Sequence, residues 1–184
     1  MRIIRVKTPD MLPPWGEKKG EVNVVVETPK GSRNKYNFDP KYQIFELGAP
    51  MPAGVEFPFE FGFIPSTLAD DGDPLDVLIL MDGPTFSGCL VKARIVGAIK
   101  ASQKEKGEKP ERNDRLIAVA QKSRRHACIE DLSDIPRETI AEIEHFFASY
   151  NRMRGKKFKV LGHASSDEAL RLVKRAIKQA EEKD

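Results

Sequence analysis

The chain has 184 residues, which fits one domain of the usual ~100–200 residues, so residues 1–184 are expected to form a single unit. With 40% hydrophobic and 32% charged residues its composition is that of a soluble globular chain, slightly rich in charge. A net charge of +3, from 31 basic and 28 acidic residues, is too even for a dedicated nucleic-acid binder, and the longest apolar run, Val77–Met81, is far short of the ~20 residues of a membrane span.

Residues 1–20 read as an irregular lead-in, because Pro9, Pro13, Pro14, Gly16 and Gly20 interrupt it. Its start, Met1-Arg2-Ile3-Ile4-Arg5, carries charge where a signal peptide has its apolar stretch. Cys89 and Cys128 are the two cysteines, too few for a disulfide framework or a zinc site. A reducing, cytoplasmic location is therefore expected. Glu21–Glu27 is β-branched and partly alternating, hence a strand. Short strands are expected at Tyr36–Phe38, Gln43–Leu47 and Phe57–Phe63, set apart by Pro and Gly. Val77–Met81 reads as a fully buried strand. Leu90–Ile99 alternates, with Val91, Ala93 and Ile95 on one face. Residues 100–114 read as a polar loop, and Arg115–Ala120 resumes the strand pattern. Helices come late. Ile140, Ile143, Phe147 and Tyr150 fall at helical spacing after Pro136, and Ser165-Ser166-Asp167-Glu168 opens a second helix, at about 165–182, with a capping box. The expected fold is α+β, mostly β: a small barrel with peripheral helices.

The acidic segment Asp71-Gly72-Asp73-Pro74-Leu75-Asp76 is the most informative stretch. Asp-Gly and Asp-Pro both favour turns, so three carboxylates share one bend and repel each other unless a cation sits among them. Two readings stand side by side: an ordinary acidic surface turn, and a nest for magnesium, which takes hard oxygen ligands. Lys35 lies beside Tyr36 on a short strand, and Glu27 ends the strand before it; the two either line a barrel mouth or pair on the surface. Phe57, Phe59, Phe61 and Phe63 alternate strictly, which indicates core packing. Walker, dinucleotide-glycine and His-Glu-x-x-His motifs are absent from the sequence.

Taken together, Val25-Val26-Glu27-Thr28-Pro29, Asn34-Lys35-Tyr36, Phe57–Pro65, Asp71–Leu78, Leu116–Ala120 and His145–Tyr150 resemble, in order, the motifs of the soluble, magnesium-dependent family I inorganic pyrophosphatases, over roughly residues 20–162. The resemblance implies a five-stranded OB-like barrel and the hydrolysis of pyrophosphate to two phosphates, with several Mg2+ ions per site. It implies Asp71, Asp73, Asp76 and Glu27 as metal residues, with Asp114 for a further family aspartate, and Asp73 as general base. Lys35, Arg115 and Tyr150 are the implied substrate-binding residues. It also implies a homo-oligomer, hexamer or dimer, with no nucleic-acid or membrane partner.

Several positions depart from the family pattern. Asn113 stands where an aspartate is usual, and Gln103 replaces a metal aspartate. Ala49 falls near the place of a phosphate-binding arginine, Phe57 and Phe61 replace tyrosines, Asn151 a lysine, and Asn37 a glutamate. Asp114, Glu111, Arg152 and Lys156 are the nearby groups that could compensate. The alternative expectation is a phosphate- or nucleotide-binding relative with reduced or lost turnover.

Overall fold

The computed structural model describes residues 8–183; the expectation for Met1–Arg5 lies outside them. In chain order the strands are β1 (Glu21–Thr28), β2 (Asn34–Asp39), β3 (Ile44–Pro50), β4 (Glu60–Phe63), β5 (Asp76–Leu80), β6 (Leu90–Lys104), β7 (Glu111–Arg112) and β8 (Arg115–Ala120). Helix α1 (Arg137–Met153), strand β9 (Lys157–Ser165) and helix α2 (Ser166–Glu181) follow. Strand β1 pairs with β4, β4 with β5, β5 with β8, β8 with β6, and β6 returns to β1. Five strands thus close into a ring, with two helices and a separate β2–β3 hairpin added.

Pairing is antiparallel throughout the ring except between β5 and β8, where Val77 lies opposite Leu116 and Leu80 opposite Val119. Parallel neighbours begin at the same end of a sheet, so Asp76 and Arg115, the first residues of the two strands, come together. Alternation splits the side chains of both strands between two apolar clusters. Val77, Ile79, Leu116 and Ala118 join Ala169, Val173 and Ala176 of α2. Leu78, Leu80, Ile117 and Val119 join Ile140, Ile143 and Phe147 of α1. The small residues of α2 let it lie close to the strands. Ser165 caps it as the sequence indicates, accepting from Glu168 N–H while the Glu168 side chain accepts from Ser165 N–H.

Strand β1 carries an irregularity that matters for chemistry. Val26 faces Gly62 and Thr28 faces Phe61, so Glu27 is an extra residue without a partner in β4. The bulge turns Glu27 out of the alternation that buries Val26 and Thr28. Gly62 permits the close approach there, since a Cβ on it would overlap the Val25 carbonyl oxygen.

Two expectations shift, and one strand is new. The strand expected over Phe57–Phe63 starts only at Glu60, because Pro58 lacks the N–H a ladder needs. The loop expected over 100–114 is in part a hairpin: β6 runs on to Lys104 and pairs with β7 and β9. Strand β9 is not among the expected elements; it alternates exposed Lys157, Lys159, Leu161 and His163 with half-buried Phe158 and Val160. Among the described residues no helix is long and apolar enough to cross a membrane.

Candidate active site

The acidic turn joins β4 to β5. Its backbone closes through Ala69 N–H to Asp73 O (2.7 Å) and Gly72 N–H to Ala69 O (3.1 Å), and Gly72 sits at φ +90°, a conformation glycine adopts without strain. Asp71 Oδ1 accepts from Asp73 N–H at 3.3 Å, an Asx turn that fixes the first carboxylate. Leu75, buried at the end of the turn, anchors it to the core.

Around this turn lies a cavity of about 430 Å³. Asp71, Asp73, Asp76 and Glu27 line it, and so do Lys35, Arg115 and Tyr150. Seven of the eight residues singled out from sequence therefore share one space. Asp114 does not. Its side chain is turned away from the cavity, where Oδ1 accepts from Ala101 N–H at 2.9 Å and pairs with Arg112; it borders a different depression, with Leu172 and Arg175. The neighbouring Asn113, whose N–H donates to the Ala101 carbonyl at 2.9 Å, lines the cavity instead. Of the groups considered as compensation, Lys156 lines the cavity and Glu111 an adjoining one of about 180 Å³ shared with Asp71 and Asp73, whereas Arg152 lines neither. Ala49 lies opposite Lys35 in the β2–β3 hairpin.

The charges in the cavity are largely paired. Lys35, 8% exposed, donates to Glu27 Oε2 at 2.8 Å and to its neighbour's carbonyl, Tyr36 O, at 2.7 Å. Its ammonium also lies 4.6 Å from the ring centre of Phe61, which without a hydroxyl still offers a π-face to a cation. Arg115, 5% exposed, donates through Nη1 to Asp76 and to Asn113, while its buried Nε–H has no acceptor among the described residues. Burial pushes the Asp76 carboxyl up to about 6 against the opposing pull of Arg115 and Lys35, and burial also raises Asp71. Tyr150 is packed by Phe57 and Phe146, and burial raises its phenol.

As placed, no three His, Cys, Asp or Glu side chains among the described residues converge as a metal cage. The reason is visible in the pairs: Asp76 is turned onto Arg115 and Glu27 onto Lys35. The donor chemistry nevertheless fits a hard divalent cation, because carboxylates and the amides of Asn113 and Gln103 offer oxygen throughout. Burial raises the carboxyls of Asp71 and Asp76, and an opposite charge placed beside them would favour their ionised forms.

Two charged lining residues escaped the sequence reading. Asp10 arrives from the lead-in, where nothing in the pattern marks it. Arg154 lies four residues after Tyr150, a spacing that places two helical side chains together, and its Nη1 donates to the Tyr150 hydroxyl at 2.9 Å. A larger cleft of about 650 Å³ lies elsewhere, bordered by residues 131–135, α1 and the end of β9. It contains the His163–Glu144 pair, 2.7 Å apart, and none of the expected site residues.

The family model for inorganic pyrophosphatase matches residues 24–181. The inorganic pyrophosphatase of Synechocystis sp. is 38% identical over 165 residues, spanning 90% of this chain and 95% of that protein. That of Leifsonia xyli is 41% identical over 152 residues, 82% of this chain and 90% of the relative. The crystal structure of inorganic pyrophosphatase from Thermus thermophilus superposes with a TM-score of 0.87 at 34% identity, covering 95% of this chain and 99% of that one. The matched segment takes in the five-stranded ring but for the first three residues of β1, the acidic turn and both helices, and the chain belongs to the inorganic pyrophosphatase family.

Proposed function

We propose that this protein hydrolyses inorganic pyrophosphate to two phosphates and depends on Mg2+ for it. The observation that carries the reading is the convergence of opposite charges: five carboxylates, Asp10 among them, and the cations Lys35, Arg115, Arg154 and Lys156 line one cavity. A substrate that is itself multiply anionic and arrives with cations needs both kinds of wall. Asp71, Asp73, Asp76 and Glu27 would hold magnesium, whose bound state lowers the pKa of water and neutralises phosphate oxygens.

The chain's own groups supply the rest. Asp73 is exposed on the turn and accepts the proton of the attacking water as general base. The water oxygen bonds to one phosphorus as the bridging P–O bond breaks, and the second phosphate leaves. Lys35 and the Tyr150 hydroxyl hold phosphate oxygens. Arg115, with its Nε–H unspent, binds the charge that develops as the bridge opens.

Phosphate release from pyrophosphate, measured with magnesium and with a chelator, tests this. Magnesium-dependent release is expected, and none under either condition overturns it. The Arg115 contacts to Asp76 and Asn113 favour the second reading, a relative that binds phosphates with little turnover; it predicts binding of a diphosphate analogue without release. The primary reading carries with it a cytoplasmic homo-oligomer, hexamer or dimer, and sedimentation showing only monomer at micromolar protein overturns the assembly.

A further inference from the structure

Four cations line the cavity, and three of them are already engaged. Lys35 is paired with Glu27, Arg115 with Asp76, and Lys156 with Glu105. Arg154 alone has no carboxylate within 4.0 Å among the described residues, although its backbone caps the end of α1. Its guanidinium is nonetheless held in place. Nη1 donates to the Tyr150 hydroxyl at 2.9 Å, and the guanidinium carbon lies 5.4 Å from the centre of the Tyr150 ring. That ring stacks on Phe146, with centres 5.9 Å apart and planes 8° from parallel, and meets Phe57 edge-on at 5.8 Å. The residue directly after Tyr150 does not provide this charge: Asn151 is 2% exposed and gives its amide to the Phe147 carbonyl at 2.9 Å.

We propose that Arg154 is a substrate-binding residue of this chain, presenting a preorganised guanidinium fork to phosphate oxygens of a diphosphate. The assignment rests on the reading of pyrophosphate as substrate. A planar fork with several N–H donors matches phosphate oxygens in pairs. An aromatic platform that fixes the fork beforehand lowers the cost of ordering a long side chain on binding. Because the Tyr150 oxygen accepts from Arg154, its own O–H is left to donate to the same phosphate. Tyr150 and Arg154 then act as one anion clamp at the C-terminal end of α1, which by itself offers carbonyls rather than N–H groups to an anion.

The test is the binding of methylenediphosphonate, a diphosphate that cannot be hydrolysed, by calorimetry in magnesium, beside steady-state phosphate release. Arg154→Gln is expected to weaken analogue binding about tenfold or more and to raise KM more than it lowers kcat. Arg154→Lys should recover part of the loss, since it restores charge without the fork. Arg152→Gln, which removes an equal charge from the same helix end outside the cavity, should bind as wild type does. If wild type releases phosphate and Arg154→Gln binds the analogue unchanged, or Arg152→Gln loses as much, the Arg154 assignment is overturned while the substrate reading stands. Arg154-dependent binding without phosphate release supports Arg154 and overturns hydrolysis. A wild type that neither binds the analogue nor releases phosphate overturns both. One that releases phosphate without binding the analogue overturns the Arg154 assignment if Arg154→Gln leaves KM unchanged and supports it if KM rises.

Discussion

Arg115 and Asp76 sit side by side at the starts of two parallel strands, with Arg115 Nη1 donating to the Asp76 carboxylate. The same nitrogen donates to Asn113. A side-chain cation therefore occupies the acidic end of the cavity, and a metal ion drawing on Asp76 competes with it or shares the carboxylate. The cost of that competition depends on how much negative charge stands nearby.

Asn113→Asp adds one such charge. It is expected to lower the magnesium concentration for half-maximal turnover, whatever it does to the maximal rate. Asp114→Asn should leave that concentration where it is, because Asp114 faces Arg112 and Ala101 N–H rather than the cavity. Its effect should instead be a loss of about 1.5–3 kcal/mol in stability, the scale of a hydrogen bond to a charged group. A large shift in magnesium requirement with Asp114→Asn would place Asp114, not Asn113, against the metals.

Magnesium should stabilise the folded protein by mass action, by about 2.7 kcal/mol at roughly 100 times its Kd. Asp71→Asn and Asp76→Asn should each blunt the rise in Tm. Without magnesium Asp71→Asn should be no less stable than wild type, since burial disfavours the ionised Asp71 carboxyl. Equal magnesium responses in all three proteins would make the turn a plain surface feature.

Asp73→Ala is expected to remove phosphate release while changing stability by no more than about 0.5 kcal/mol, as for an ordinary surface substitution. The turn uses the Asp73 backbone, through its N–H to Asp71 and its carbonyl from Ala69, and Ala keeps both. Retention of most of the activity would show that another group takes the proton.

Glu60 supplies a pH dependence remote from the chemistry. It is fully buried, its carboxylate accepts from Lys30 N–H at 3.2 Å and Thr85 N–H at 3.0 Å, and burial outweighs those bonds to raise its pKa above 4.5. A carboxyl raised on folding favours the folded state while protonated, and that contribution is lost as pH rises from the unfolded value through the folded one. The Tm of wild type minus that of Glu60→Gln should therefore fall as pH climbs above 4.5 toward neutrality. A difference that stays constant across that range would show that Glu60 ionises as it does in the unfolded chain.

What the sequence made legible was periodic or local. The alternation of Val77–Leu80 and Arg115–Ala120 and the capping box at Ser165 each carry their geometry in neighbouring residues. What it hid depends on pairing between distant segments. Glu27 reaches the cavity only because β1 bulges against β4, and alternation alone does not announce a bulge. The choice between Asn113 and Asp114 turns on how the two residues between β7 and β8 enter the strand, a matter of one residue of register. Arg154 was readable only by projecting helix α1 past Tyr150 to its final turn.

The parallel alignment of β5 with β8 has a kinetic consequence. Asp76 and Arg115 are 39 residues apart in the chain, and Glu27 reaches the same space from a third strand, so closing the ring requires long-range pairings of the kind that fold slowly. Until the ring closes, the acidic turn stands apart from Glu27 and from the cations, and the complete lining that a polyvalent ligand grips does not exist. Ligands of the cavity should therefore act on the lifetime of the folded state: they slow its opening and leave the rate of its formation nearly untouched.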